Sequence, residues 1–219
     1  MAKIVIFGAG DIARLAHFYF TTDSPHEVVA FTVDAAYREL EEFQDLPVVA
    51  FEELPARFPP GEYQLFIALS YAKMNQVRAG KYHAAKALGY TLASYVSSRC
   101  TYLAQTPPGD NCFILEDNTV QPFVTIGSDV TLWSGNHIGH DSTIADHTFI
   151  ASHVVVSGHV HIGPNCFIGV NATLRNSITL APMTLVGAGA VIMKDTKEKG
   201  VYLPQRAELF GKPSDEIAL

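Results

Sequence analysis

GNHIGHDSTIADHTFIASHVVVSGHVHIGPNCFIGVNATL, from Gly135 to Leu174, repeats in steps of six. Aliphatic side chains stand at Ile138, Ile144, Ile150, Val156, Ile162, Ile168 and Leu174. The same beat runs back through Leu132, Ile126 and Val120 to Ile114, and forward through Leu180 and Val186 to Ile192. Neither an α-helix, whose apolar stripe recurs every 3.6 residues, nor an alternating strand produces a period of six. Four residues after each aliphatic comes a small or modest side chain, such as Asn118, Ser142, Thr148, Cys166, Ala172 or Ala190. Hexads of this kind predict a triangular parallel β-helix, three hexads to a coil, with the aliphatic and the small residue pointing inward. No long loop breaks the register, so an active site here must be built from coil walls and corners.

Composition narrows the function classes. The 219 residues suit one or two domains, and a 48% hydrophobic content is enough for a sizeable core. Asp and Glu number 22 against 15 Lys and Arg, which argues against a nucleic-acid or anionic-membrane partner. No apolar run reaches bilayer length, and the start of the chain reads as a strand and not as a targeting peptide. Cys100, Cys112 and Cys166 have neither metal-ligand nor redox spacing, and their odd number suits a reducing compartment. A cytoplasmic location is expected.

Residues 1–96 follow a different pattern. Strands are predicted at Lys3 to Phe7, Glu27 to Val33, Gln64 to Leu69 and Thr91 to Val96, with helices from Asp11 to Phe20 and Asn75 to Leu88. Strands interleaved with helices imply a small parallel sheet of the Rossmann-like, nucleotide-binding class. A linker is expected over 97–113, where Pro107, Pro108 and Gly109 fall, then the β-helix over 114–193 and a polar tail over 194–219.

Two groups of residues carry chemistry. The GAGDIA turn, Gly8 to Ala13, sets glycines between a strand and a helix N-terminus, where backbone N–H groups and the helix dipole favour a phosphate. Gly8, Ala9 and Gly10 are candidate nucleotide contacts, and Asp34, ending the second strand, is a candidate acceptor for a ribose or base. The alternative is a turn that serves only strand–helix packing. The second group is histidine: six of nine lie between His137 and His161. The hexad phase places His137 and His161 on outer flat faces, and His140, His147, His153 and His159 at corners. His137, His147 and His161 read as surface or interface residues. Residues 18 apart stack, which sets Gly158 over His140 and His159 over Asp141. A corner histidine beside a carboxylate, beneath a glycine with a bare N–H, suits acyl transfer.

The stretch Gly135 to Leu174, followed by VGAGAVIMKD at Val186 to Asp195, resembles the bacterial hexapeptide-repeat sugar acyltransferases of the sialic acid O-acetyltransferase and bacillosamine N-acetyltransferase type. KIVIFGAG, the strand ending at Asp34 and FIAL at Phe66 to Leu69 fit the same family's N-terminal domain, so the resemblance spans nearly the whole chain. It implies a left-handed parallel β-helix and a homotrimer with acyl-CoA, as co-substrate, in the groove between neighbouring β-helices. It also implies direct transfer to a nucleotide-linked sugar (dTDP- or UDP-) of a surface polysaccharide such as a lipopolysaccharide O-antigen. By resemblance, His140 is the general base and Asp141 its acidic neighbour, Gly158 faces the thioester carbonyl, and Val170 and Ala188 line the CoA groove. Gly8, Ala9, Gly10 and Asp34 hold the nucleotide end.

The sequence departs from the family in places. A second histidine nine residues after the base is replaced by Phe149, a change that suggests an acyl donor bulkier than acetyl, and His153 is a candidate to take over part of its role. Ile12 and Ala13 replace a histidine and a glycine, and Ser70-Tyr71 replaces glycine-asparagine. N-acylation of an amino-deoxy sugar is the expected reaction, with O-acetylation by the same apparatus as its rival. A zinc enzyme of the β-helix carbonic anhydrase type is a rival from another class, opposed by the absence of any two histidines 18 apart. A non-catalytic scaffold is the third reading.

Overall fold

A computed structural model describes residues 1–209 and 211–217. The hexads form three parallel sheets that wrap into a triangular prism. The first sheet stacks Tyr95–Val96, Phe113–Ile114, Thr131–Leu132, Phe149–Ile150, Phe167–Ile168, Leu185–Val186 and Val201–Tyr202. The second runs from Thr101–Tyr102 through His137–Ile138 to Val191–Ile192, and the third from Thr125–Ile126 to Thr179–Leu180. Partners lie 18 residues apart, as in Thr131↔Phe149 and His137↔Val155. All fourteen aliphatics of the period are buried, with Ile114, Leu132, Ile150 and Leu174 at 0% exposure. Each contributes roughly 1.5–3 kcal/mol by leaving water.

The corners explain much of the composition. The second corner residue of nearly every hexad has a left-handed backbone: Asp117, Phe123, Asp129, Asp141, His147, His153, His159, Asn165 and Asn171 all have φ between 56° and 65°. Asn, Asp and His tolerate this region better than most residues, and glycine, at Gly135 and Gly189, tolerates it best.

The β-helix begins earlier than the hexads announce. The stretch expected to be a linker, 97–113, forms a coil: Thr101–Tyr102 pairs with Thr119–Val120, and Gly109 N–H donates to the Ile126 carbonyl at 3.1 Å. Val96 and Tyr102 occupy the inward phase there, so the aliphatic beat is diluted rather than lost. Part of the expected tail also joins, since Val201–Tyr202 pairs with Leu185–Val186 in a coil of 16 residues.

The N-terminal domain comprises β1 (Lys3–Phe7), α1 (Asp11–Thr22), β2 (Glu27–Val33), β3 (Glu42–Phe43), β4 (Leu46–Ala50), α2 (Leu54–Arg57), β5 (Tyr63–Ile67) and α3 (Gln76–Ala87). Its sheet has the order β3-β4-β2-β1-β5, parallel except for the β3–β4 hairpin. The strand expected at Thr91 to Val96 divides between the two halves. Leu92 bridges to Leu65 of β5, and Tyr95–Val96 starts the first sheet of the β-helix.

The domain sits on the outer face of that first sheet. Phe113 and Leu115 enter its core beside Phe20, Phe66 and Tyr95, and Tyr71 packs on Phe149 and Phe167 with centroids 5.1 and 4.7 Å away. A buried ion pair locks the contact. Arg78 of α3 gives its Nε to Asp129 Oδ1 at 3.0 Å and its Nη2 to the Asp129 and His147 carbonyls. Asp129 also accepts from Asn111 Nδ2 at 2.7 Å and meets His147 Nδ1 at 2.8 Å. His147, expected at the surface or an interface, is buried within the chain because α3 covers its corner.

Replacing Arg78 by Met removes the cationic partner of a buried carboxylate and is expected to cost about 3–5 kcal/mol. At roughly 2–4 °C per kcal/mol for a chain of this size, the melting temperature should fall by about 10 °C in a calorimetric scan. A fall under about 2 °C would show that the pair does not hold the halves together.

Candidate functional site

His140 and Asp141 share the corner between the second and third sheets, and the coil ladder fixes both. Asp141 N–H donates to the Pro122 carbonyl at 3.3 Å, and the Gln121 side chain accepts from His140 N–H at 2.9 Å. The His140 Nδ1 and Asp141 Oδ2 atoms are 2.7 Å apart. An ionised carboxylate only accepts, so the ring proton belongs on Nδ1 and Nε2 keeps its lone pair. That lone pair faces Gly158 one coil above: a Cβ built on Gly158 would lie 2.8 Å from His140 Nε2. Among the described residues, Gly158 N–H has no acceptor in the chain, which leaves it available to an incoming oxygen. The site is open, with half of the His140 side chain exposed.

Two neighbours were not assigned roles from the sequence. His159, above Asp141, packs edge-on against His140 with centroids 5.0 Å apart, and its Nε2 lies 3.9 Å from Asp141 Oδ2. A search for histidines 18 apart misses this pair because it is diagonal across the coil. Phe123, one coil below Asp141, is exposed in a left-handed conformation (φ 65°), an unfavourable choice for a bulky residue.

The remaining β-helix candidates lie on a different edge. His153, Val170 and Ala188 form one exposed column at the corner between the first and second sheets, with the His153 ring over Gly135. Within a single chain they are not brought to His140. Phe149 is 3% exposed, stacked on Phe167 and covered by Tyr71. It anchors the two halves of the chain to one another and lines no open groove of the protomer, because the N-terminal domain covers its sheet.

The nucleotide candidates border a cavity of about 410 Å³ at the C-terminal ends of β1 and β2, where ligands of open parallel sheets bind. Gly8, Ala9 and Asp34 line it with Phe7, Val33, Tyr37 and Lys81. Gly8 adopts φ 122°, and any Cβ there would meet the Ala68 carbonyl at 2.9 Å. Gly10 is the N-cap of α1 and stands outside the lining. Asp34 is ion-paired with Lys81, whose ammonium also lies over the Phe7 and Phe51 rings at 5.3 and 5.2 Å. Lys81 was missed because its position on α3 gives no sequence signal linking it to Asp34. Asp11 places a carboxylate in the first turn of α1, which disfavours a phosphate at that helix end, whereas Lys81 supplies a cation at the cavity wall.

The cysteines take no part. Burial pushes the Cys112 thiol up to about 12 and Cys166 to about 11, so both remain protonated packing groups. Among the described residues no helix is long and apolar enough to cross a membrane.

Residues 123–158 and 141–176 match the family described as bacterial transferase hexapeptide (six repeats). No curated protein matches the sequence. Solved structures share the fold along almost the entire chain. Perosamine N-acetyltransferase from Caulobacter crescentus, a histidine-to-asparagine mutant in complex with CoA and GDP-perosamine, has a TM-score of 0.84 at 20% identity, covering 97% of this chain and 98% of that one. The acetyltransferase domain of PglB from Neisseria gonorrhoeae has a TM-score of 0.79 at 20% identity, covering 93% and 97%. WeeI from Acinetobacter baumannii has a TM-score of 0.77 at 18% identity, covering 92% and 96%.

Gly158→Ala tests the site geometry without reference to turnover. Its methyl group would need the space of the His140 ring, so the ring should swing off Asp141 while the melting temperature changes by less than about 3 °C. A crystal structure of the variant with the ring unmoved would contradict the arrangement.

Proposed function

We propose that the protein is an acyl-CoA-dependent N-acyltransferase that acylates the amine of a nucleotide-linked amino-deoxy sugar. One observation carries the reading: an exposed imidazole whose Nδ1 is held by Asp141 and whose Nε2 lies against Gly158, a residue whose N–H is unengaged. The shared fold with sugar N-acetyltransferases, one of them in complex with CoA and GDP-perosamine, supports the substrate classes. In the reaction, the sugar nitrogen attacks the thioester carbonyl while His140 Nε2 takes its proton. Asp141 stabilises the imidazolium that forms, and Gly158 N–H holds the oxyanion. The C–S bond then breaks, CoA thiolate leaves and is protonated by the imidazolium, and the amide remains. The nucleotide occupies the cavity beside Gly8, Ala9, Asp34 and Lys81. A guanine, uracil or thymine base is compatible with its largely apolar wall.

The N-terminal domain sits on the first sheet, and His140 sits on the opposite edge of the prism, between the other two sheets. A sugar bound in the cavity of one chain therefore reaches the His140 of another. A left-handed β-helix assembled as a homotrimer provides that meeting, and it brings the edge with His153, Val170 and Ala188 to the CoA-binding groove.

His140→Ala should lower turnover by about 10² to 10⁴ and leave CoA affinity nearly unchanged, measured by amide formation and by calorimetry. Wild-type turnover in this variant would refute the base assignment. Complementation tests the shared site. Co-expression of His140→Ala with Asp34→Ala chains should restore turnover that neither homo-oligomer has, through sites assembled from the intact half of each. No recovery in mixed oligomers would place both halves of the site within one chain.

A further inference from the structure

The diagonal pair of histidines does more than crowd a corner. His140, Asp141 and His159 can each offer one ligand atom, and these atoms lie within 4.8 Å of one another. The backbones that carry them are fixed. Asp141 and His159 both sit at left-handed corner positions with φ 57°, and His159 N–H donates to the His140 carbonyl at 2.9 Å. The three side chains are exposed on the same side of the edge, so a cation can reach them from solvent. Only short movements are required. The 2.7 Å separation between Nδ1 and Oδ2 opens slightly, and the 3.9 Å separation between Oδ2 and His159 Nε2 closes slightly. Both then approach the spacing of ligands about 2 Å from a tetrahedral Zn²⁺.

We propose that His140, Asp141 and His159 form a divalent-cation site selective for Zn²⁺ over Mg²⁺, and that its occupation switches off the histidine–aspartate pair. Two imidazoles and one carboxylate suit a borderline-soft ion, and hard cations such as Mg²⁺ prefer oxygen alone. Three protein ligands leave a fourth position open to water or an anion. The site itself is independent of the acyl-transfer reading; the switch rests on it. With the ring and the carboxylate committed to the metal, His140 cannot accept a proton with the help of Asp141. His159 contributes only to the metal.

Calorimetric titration of the full chain with Zn²⁺ should show one ion per chain, and Mg²⁺ should give no heat. His159→Ala should weaken Zn²⁺ binding by more than about tenfold, a loss expected even for a residue that merely supports a ligand, and His153→Ala, an exposed histidine on another edge, should leave it unchanged. Co²⁺ in place of Zn²⁺ should give the visible absorption of a tetrahedral complex in the wild type and lose it in His159→Ala. Equal Zn²⁺ affinity in the wild type and His159→Ala, or equal response to Mg²⁺, would overturn the site. Amide formation in Zn²⁺ sufficient to fill the site separates the two claims. Arrest of the wild type with continued turnover by His159→Ala supports the switch. Full wild-type turnover with the site demonstrably filled overturns the switch and removes His140 from the role of base, while leaving the metal site standing.

Discussion

A coil of 18 residues is the constraint on which everything else in the molecule rests. Each two-residue strand makes its hydrogen bonds only with the strands one coil before and after it, as Thr143 does with Thr125 and His161. An extra residue in one coil would move the next inward aliphatic off its phase and break the ladder on every later coil. The regularity carries the chemistry as well as the core. His140 lies under Gly158 because 140 and 158 differ by one coil, and no loop of its own holds it there. Inserting or deleting one residue between them would separate the imidazole from the glycine without touching either.

The second dependence is the seat of the N-terminal domain. Apolar contact through Phe113, Leu115, Phe149 and Phe167 supplies area, and the Arg78–Asp129 pair supplies orientation. A buried pair of this kind adds little net stability over an apolar substitute, but it favours one docking, because a shift of α3 takes the buried Arg78 guanidinium away from its acceptors on Asp129 and His147. Asn111 extends the lock to the sheet by accepting from Ile67 N–H at the end of β5 at 2.7 Å. The cavity by Gly8 and the corner with His140 are thus held in one fixed relation, on opposite sides of the prism. Under the proposed function, that separation leaves a single chain incomplete and gives assembly a chemical purpose.

The β-helix was legible because a period of six over fourteen positions has no competing explanation. Its first coil was hidden for a physical reason: with neighbours on only one side it tolerates Tyr102 and Pro108 where the inner coils place aliphatics. In the N-terminal half β1 and β2 were found in full, and Leu46–Ala50 was missed as a short run between loops. The His140–Asp141–Gly158 stack followed from arithmetic on the repeat. Lys81, the burial of His147 and the His140–His159 contact did not. Each depends on how one element packs on another, or on a diagonal across a coil, and neither leaves a mark in the spacing of residues.

The backbone also sorts the histidines, which composition alone cannot do. His147, His153 and His159 occupy the left-handed position of their corners, a conformation that Asn, Asp, Gly and His adopt more readily than most residues. Their presence there is accounted for by the turn before any chemistry is invoked. His140 stands one residue earlier, outside the left-handed position, and that demand is met by Asp141 instead. Nothing about the turn asks for a histidine at 140. The same step puts an acid beside it whose own conformation suits the corner, and so the fold obtains a paired imidazole and carboxylate at no cost in strain. The turn thus gives a backbone reason for a histidine at 147, 153 and 159 and none for one at 140.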